Sequence, residues 1–264
     1  MTAQLDYRIA AVDRSLIVME SLAEYPEQGV TEISERLGMT KSLVFRILQT
    51  LEGRGFAARD ASRSTWSLGY RLTVLGERAG HSAGLNQAAR PIMDALRDAT
   101  SESVNLIVRD GKKSLVVMTR DGRHSMRLFA VAGRYGPLHA GGGSCLLLAY
   151  APAEIQESIL NAAMRVYTDR TMTDPDRLRE RLQRIRQRGW HIAQSDLDEG
   201  AFSVAAPVRD ASGEVVAAIS VAGAVARFDE ERRDLHLTAV LKAAKQISNR
   251  LGLGPSAAFD DDPG

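Results

Sequence analysis

The stretch TEISERLGMTKSLVFRILQTLEGRGF, residues 31–56, decides the fold of the amino-terminal part of the chain. Thr31 is read as the cap of a short helix in which Glu32 and Glu35 sit near the positive end, Ile33 and Leu37 lie one turn apart, and Gly38 stops the chain. A second helix follows, capped by Thr40. Its Val44, Ile47, Leu48 and Leu51 fall at i, i+3, i+4, i+7, the spacing of a buried stripe. Two helices around a glycine turn make a helix-turn-helix. Upstream, Val12, Leu16, Met19 and Ala23 predict a further amphipathic helix ending before Tyr25-Pro26.

The other face of the second helix carries Ser42, Phe45, Arg46 and Gln49, also at i, i+3, i+4, i+7. A major groove admits one helix, and side chains of these types read base edges there, so Arg46 and Gln49 are expected to contact bases. Thr40, Lys41 and Ser42 open the helix, where free N–H groups favour a phosphate. Next, GFAARDASRSTWSLG, residues 55–69, reads as a β-hairpin wing anchored by Phe56, Trp66 and Leu68, with Arg59 and Arg63 at or near its tip. From Arg36 to Arg78 there are eight basic residues against three acidic ones, a local net charge of +5 in a chain whose overall balance is only +1. This assembly is a winged helix-turn-helix expected to bind double-stranded DNA.

Working outward, residues 1–69 form the expected DNA-binding domain, and Leu72, Leu75 and Ala79 suggest a linker helix over 70–83, with a break at His81-Ser82-Ala83-Gly84. Residues 84–251 form a larger domain and 252–264 a tail expected to be disordered. In the larger domain, a helix is expected over 88–99. SVNLIVRDGKKSLVVMTR (103–120) predicts two strands around Asp110-Gly111, and MRLFAVAG (126–133) a third. Further helices are expected near 152–163, 175–188 and 229–251, and strands over 190–195, 202–209 and 214–222. The fold class is therefore α+β, an antiparallel sheet flanked by helices. No run approaches the ~18 apolar residues of a membrane span and the amino terminus lacks a secretory pattern, so a cytoplasmic protein is expected. A lone cysteine, Cys145, excludes an internal disulfide, and no Cys/His spacing suggests a metal or cofactor.

Five motifs in order now carry a family resemblance: the 31–56 stretch, the wing ending WSLG, GPLHAGGGSCLLLA (136–149), IRQRGW (185–190) and AAPVRDASGEVVAAISVAG (205–223). Together they resemble the IclR family of bacterial transcription regulators. The resemblance implies a GAF-like effector domain, a dimer or tetramer, and usually repression of a palindromic operator. It also implies an effector pocket where the amides of Gly142 and Gly143 receive a carboxylate opposite Ser203 and Ser220. Ala222 stands where relatives often have a second serine, and Ser144-Cys145 where they have Gly followed by Lys or Arg. A small organic or aromatic acid is the effector class this implies.

Two other readings compete. The Gly141–Cys145 loop could be a nucleophile loop of a hydrolase, with Ser144 or Cys145 attacking and His139 as base; no G-x-S-x-G supports it, and His139 is read as structural. Alternatively, the helix-turn-helix could mediate protein contacts alone. Arg127 and Arg134 are read as surface arginines that could also pair with an anion. Asp196, Asp198 and Glu199, in a loop before Gly200, are read as a solvated loop that could close a pocket rather than as paired catalytic carboxylates.

Overall fold

The computed structural model describes residues 8–78, 81–124 and 130–252. The chain packs as two compact units, Met1–Ala83 and Gly84–Gly264. In the smaller, α1 (Ala10–Glu24), α2 (Val30–Leu37) and α3 (Lys41–Gly53) precede a hairpin of β1 (Ala57–Asp60) and β2 (Thr65–Leu68), then α4 (Arg71–Arg78). Gly38, at φ 63°, gives α2 its left-handed stop, a conformation that a side chain would strain. Thr40 then caps α3, its Oγ1 accepting from the Leu43 N–H at 3.4 Å. The four stripe residues of α3 are buried with Val18, Leu22, Ile33, Ala57 and Trp66 in one core.

Three local expectations need correction. Helix α2 is capped two residues earlier than read: Gly29, not Thr31, is its cap, and the Gly29 N–H is satisfied by Glu32 Oε2 at 2.8 Å. In α1, Val12, Leu16 and Ala23 are exposed, whereas Val18, Ser21 and Leu22 enter the core. The helix carries two apolar stripes, and packing against α3 and β2 selects the second. On the wing, Trp66 is the anchor while Leu68 is 36% exposed. An antiparallel bridge from Gln28 to Trp66 ties the wing to the loop before α2.

The larger unit is built on a six-stranded antiparallel sheet. In chain order come α5 (His81–Thr100), β3 (Ser103–Asp110), β4 (Lys113–Arg120), β5 (Tyr135–Gly136), α6 (Gly142–Ala149), α7 (Ala153–Leu160), α8 (Pro175–Arg188), β6 (His191–Gln194), β7 (Ala201–Arg209), β8 (Val215–Ala224), a 3-10 turn (Val225–Arg227) and α9 (Glu230–Arg250). The spatial order is β5-β4-β3-β8-β7-β6. Alternation along β7 sends Phe202, Val204, Ala206 and Val208 to one core with α5 and α9, and Ala205 to a second core with α6, α7 and α8. Every residue of α6 is buried, as its apolar circumference requires.

The break expected at His81–Gly84 is helical, because α5 starts at His81. Of the strand expected over 126–133, residues 126–129, Arg127 among them, lie outside the described residues, and 130–133 are loop and turn; β4 pairs with Tyr135 and Gly136. The tail from residue 253 also lies outside them.

Two histidines couple this unit to pH. Burial pushes His191 down to about 3. His236, stacked against Phe202 at 5.6 Å with neither ring nitrogen partnered among the described residues, is also lowered, chiefly by burial. Unfolded, both titrate near ~6.5. Below that value the unfolded chain binds more protons, so their stabilisation is complete above about pH 6.5 and is lost as the pH falls, for His191 down toward about 3, by up to ~1.4 kcal/mol per pH unit. Urea midpoints measured from about pH 7.5 down to about pH 5, above the range of ordinary carboxylates, should fall below about pH 6.5. A flat profile there would contradict the assignment.

Candidate functional site

The outward face of α3 follows from its inward one. With Val44, Ile47, Leu48 and Leu51 fixed in the core, Ser42, Phe45, Arg46 and Gln49 are all exposed, together with Lys41 at the first turn. Among the described residues no side-chain partner engages Lys41, Arg46 or Gln49, so their donors are free. Not every base in the cationic stretch is: Arg36 donates to Gln28 Oε1 and lies over the Tyr25 ring at 3.9 Å, bracing the loop before α2. On the wing, Asp60 Oδ1 accepts from the Ser62 and Arg63 amides and closes the turn. Arg59 lies 5.6 Å from the Trp66 ring, and Arg63 pairs with Glu27 at 3.1 Å, both side chains 66% exposed. Such a pair is worth little and yields readily to a phosphate.

The second site is a cavity of about 510 Å³ in the larger unit, inside the range of small-molecule sites. The amino end of α6 forms one wall. Its first-turn N–H groups have no intrahelical acceptor. Gly142 is there because no side chain fits: a Cβ would stand 2.7 Å from Ser203 Oγ and 2.9 Å from the Ser203 carbonyl oxygen. Glycine thus lets α6 sit directly on the sheet, in addition to any close approach by a ligand. Ser203 and Ala222 face one another across β7 and β8 and both line the cavity. Ser220 does not line it. It pairs with Ala205, two residues further along, and is 1% exposed.

Lys113, Arg134, Arg165, Tyr135 and Tyr167 complete much of the lining, and Tyr135 donates to Asp110 Oδ2 at 2.7 Å. Arg134 was read as a surface residue; it is exposed and also faces this cavity. The acidic loop does reach this cavity, through Asp196 and Asp198, but Asp196 is not solvated. It is 6% exposed, accepts the Gly141 N–H at 3.1 Å and faces Arg181 at 3.6 Å, while Glu199 and Asp198 stay exposed. Burial raises its carboxyl above the usual range, against the lowering effect of the Gly141 N–H and Arg181. Lys113, Arg165 and Tyr167 are not marked as pocket residues by the sequence, since no local pattern joins segments so far apart.

The nucleophile-loop chemistry is not assembled. Ser144 Oγ donates to Ser114 Oγ at 2.9 Å, and Ser114 donates on to the Pro137 carbonyl at 3.2 Å. His139 Nε2 instead contacts the Arg165 carbonyl oxygen at 2.9 Å. Cys145 is fully buried and its thiol is pushed up to about 12, chiefly by burial. A thiol reagent should therefore modify Cys145 no faster than the domain unfolds; rapid stoichiometric labelling of the folded protein would refute this.

A helix-turn-helix with a wing, joined in one chain to a sheet domain that holds a cavity of small-molecule size, defines a helix-turn-helix type of transcription regulator. Comparison with known proteins gives the family. A family model described as bacterial transcriptional regulator IclR C-terminal matches residues 78–249, and the IclR helix-turn-helix domain matches residues 11–61. The chain belongs to the IclR family. It is 34% identical over 248 residues to the HTH-type transcriptional regulator BhcR of Paracoccus denitrificans, covering 94% of this chain and 88% of that protein. To the regulator KipR of Bacillus subtilis it is 31% identical, covering 91% and 96%. Among solved structures, an IclR homologue from Microbacterium hydrocarbonoxydans, complexed with 4-hydroxybenzoate, superimposes with a TM-score of 0.80 at 24% identity, covering 93% of this chain and 99% of that one. These relatives are named as regulators, and this chain is likewise a transcriptional regulator and not an enzyme. No helix among the described residues is long and apolar enough to cross a membrane.

Proposed function

We propose that the chain is a cytoplasmic repressor released or retained on its operator by a small organic acid. Residues 1–69 bind DNA, 70–83 transmit, and 84–251 sense the effector and assemble the oligomer. Thr40, Lys41 and Ser42 hold phosphates, Phe45, Arg46 and Gln49 meet base edges, and Arg59 and Arg63 grip the backbone from the wing. Two chains present paired recognition helices to a palindrome, because one short helix makes few base contacts and linked half-sites raise affinity through effective concentration.

The observation that carries the effector class is the cavity wall itself: the free amides of α6 together with Lys113, Arg134 and Arg165 favour an anion, and the two tyrosines suit an apolar or aromatic body. The carboxylate is received by Gly142 and Gly143, with Ser203 as a polar neighbour. That the Microbacterium homologue is complexed with 4-hydroxybenzoate supports an aromatic acid of this size. An effector acts only by binding one arrangement of the DNA-binding domains better than another.

The test is a salt-dependent titration of the intact protein on its own upstream DNA against a scrambled duplex, repeated with a panel of aromatic and aliphatic acids. Selective binding that one acid shifts is the expected result. Selection from random DNA that yields no motif sinks the operator reading; selective binding that no acid alters sinks the effector class.

A further inference from the structure

Helix α8 carries Leu178, Leu182 and Ile185 inward, and its outer face repeats Arg177, Arg181, Arg184 and Arg188 at i, i+4, i+7, i+11. Like charges at this spacing destabilise a helix, so an unrelieved row calls for a reason. Relief within the chain is slight. Arg181 faces Asp196 at 3.6 Å, but Arg177, Arg184 and Arg188 have no carboxylate partner among the described residues. The row forms one side of a groove of about 650 Å³ along β6, the edge strand of the sheet, to which Arg170 and Arg233 add two more guanidinium groups. Among the described residues Asp196 is the one acid lining it.

Two further groups point to a ligand. Trp190 lines the groove half-buried, with the Arg188 guanidinium 5.5 Å from its ring. His191 also lines it, and its Nε2 is buried with no partner among the described residues, a group that ordinarily finds one. We propose that this groove is a second small-molecule site, taking a compact anion that bears several phosphate groups. Six arginines and no lysine favour phosphate, because the planar guanidinium matches its oxygens two at a time. A recess of this volume suits a small molecule, whereas duplex DNA needs a broad surface. The neutral His191 imidazole supplies a further donor at the bottom of the charge-rich walls. The proposal is independent of the acid effector: the groove is lined by α8, β6 and Arg233, and shares only Ala193 and Asp196 with the cavity at α6.

The probe is inorganic tripolyphosphate, titrated calorimetrically into the intact protein at physiological salt. Saturable binding of one per chain is expected, weakened about tenfold or more by Arg184→Glu. Arg179→Glu serves as the control, since it makes the same charge change on the same helix but pairs with Asp176 and Glu157 and does not line the groove. It should change affinity by less than about twofold. In parallel, of the two tryptophan indole N–H resonances, that of Trp190 should shift on binding while that of Trp66 stays, and His191 should become easier to protonate. These spectra hold even where a substitution perturbs folding. Absence of saturable binding, equal weakening by both substitutions, loss on Arg134→Glu instead, or binding of duplex DNA with tripolyphosphate silent overturns the proposal.

Discussion

Arg46→Ala is expected to weaken binding to the selected operator by ~1–3 kcal/mol per half-site, roughly 5- to 150-fold, and to relax preference at one base pair. The argument starts in the core. Val44, Ile47, Leu48 and Leu51 set the rotation of α3, which leaves Arg46 exposed with no side-chain partner among the described residues. A free guanidinium on a recognition helix donates twice to guanine O6 and N7, and alanine removes both donors. Folding should be unaffected, since alanine is the better helix former and Arg46 is exposed. An unchanged urea midpoint with reduced affinity separates the two effects. Lys41→Ala, at the first turn, should instead lower affinity for every sequence and reduce the salt slope by about one. If Arg46→Ala behaves like Lys41→Ala, weakening all sequences alike, then Arg46 holds phosphate and base reading falls to Gln49 and Phe45.

The two sites differ in how far a reader of the sequence can reach. Helix α3 is legible because every determinant is local: a cap at Thr40, one apolar period and a glycine stop before it. The same local logic misleads in α1, where Val12 and Leu16 keep the period as well as Val18 and Leu22, and only the position of α3 and β2 chooses between them. Around His81–Gly84 the small and polar residues looked like a break, yet α5 runs through them. The cavity is less legible still. Gly142, Gly143 and Ser203 were singled out through the family resemblance, and register then decides the rest: Ala222, not Ser220, stands beside Ser203. Lys113, Arg165 and Asp196 reach the cavity from a strand and two loops that adjoin only after the sheet has formed. Asp196 looked solvated because its neighbours are; the Gly141 amide and Arg181 that hold it are 55 and 15 positions away, beyond any periodic signal.

The largest stability effect is expected away from either site, at an ion pair spanning 125 residues. Glu102, 1% exposed just before β3, receives both Nε and Nη2 of Arg227 at 2.9 and 2.7 Å, from the turn that follows β8. His124 Nε2 lies 3.6 Å from the same carboxylate. The Arg227 guanidinium is held charged by this contact, its pKa raised chiefly by the hydrogen bonds to Glu102. Whether the pair stabilises the fold relative to an apolar replacement is a separate matter, since desolvation offsets much of the attraction. Breaking it from one side is not balanced in that way. Arg227→Ala leaves a carboxylate almost without solvent, and the cost of such a break is typically 3–5 kcal/mol. Here about 3 kcal/mol is expected, because 22% of the Arg227 side chain is exposed and water can enter from that side. Chemical denaturation at neutral pH measures the loss. Adding Glu102→Gln to Arg227→Ala removes the stranded charge and should restore more than half of the deficit, the signature of coupling between the two residues. Equal stability of the single and double variants would mean that Arg227 acts through packing of its stem against the sheet rather than through Glu102.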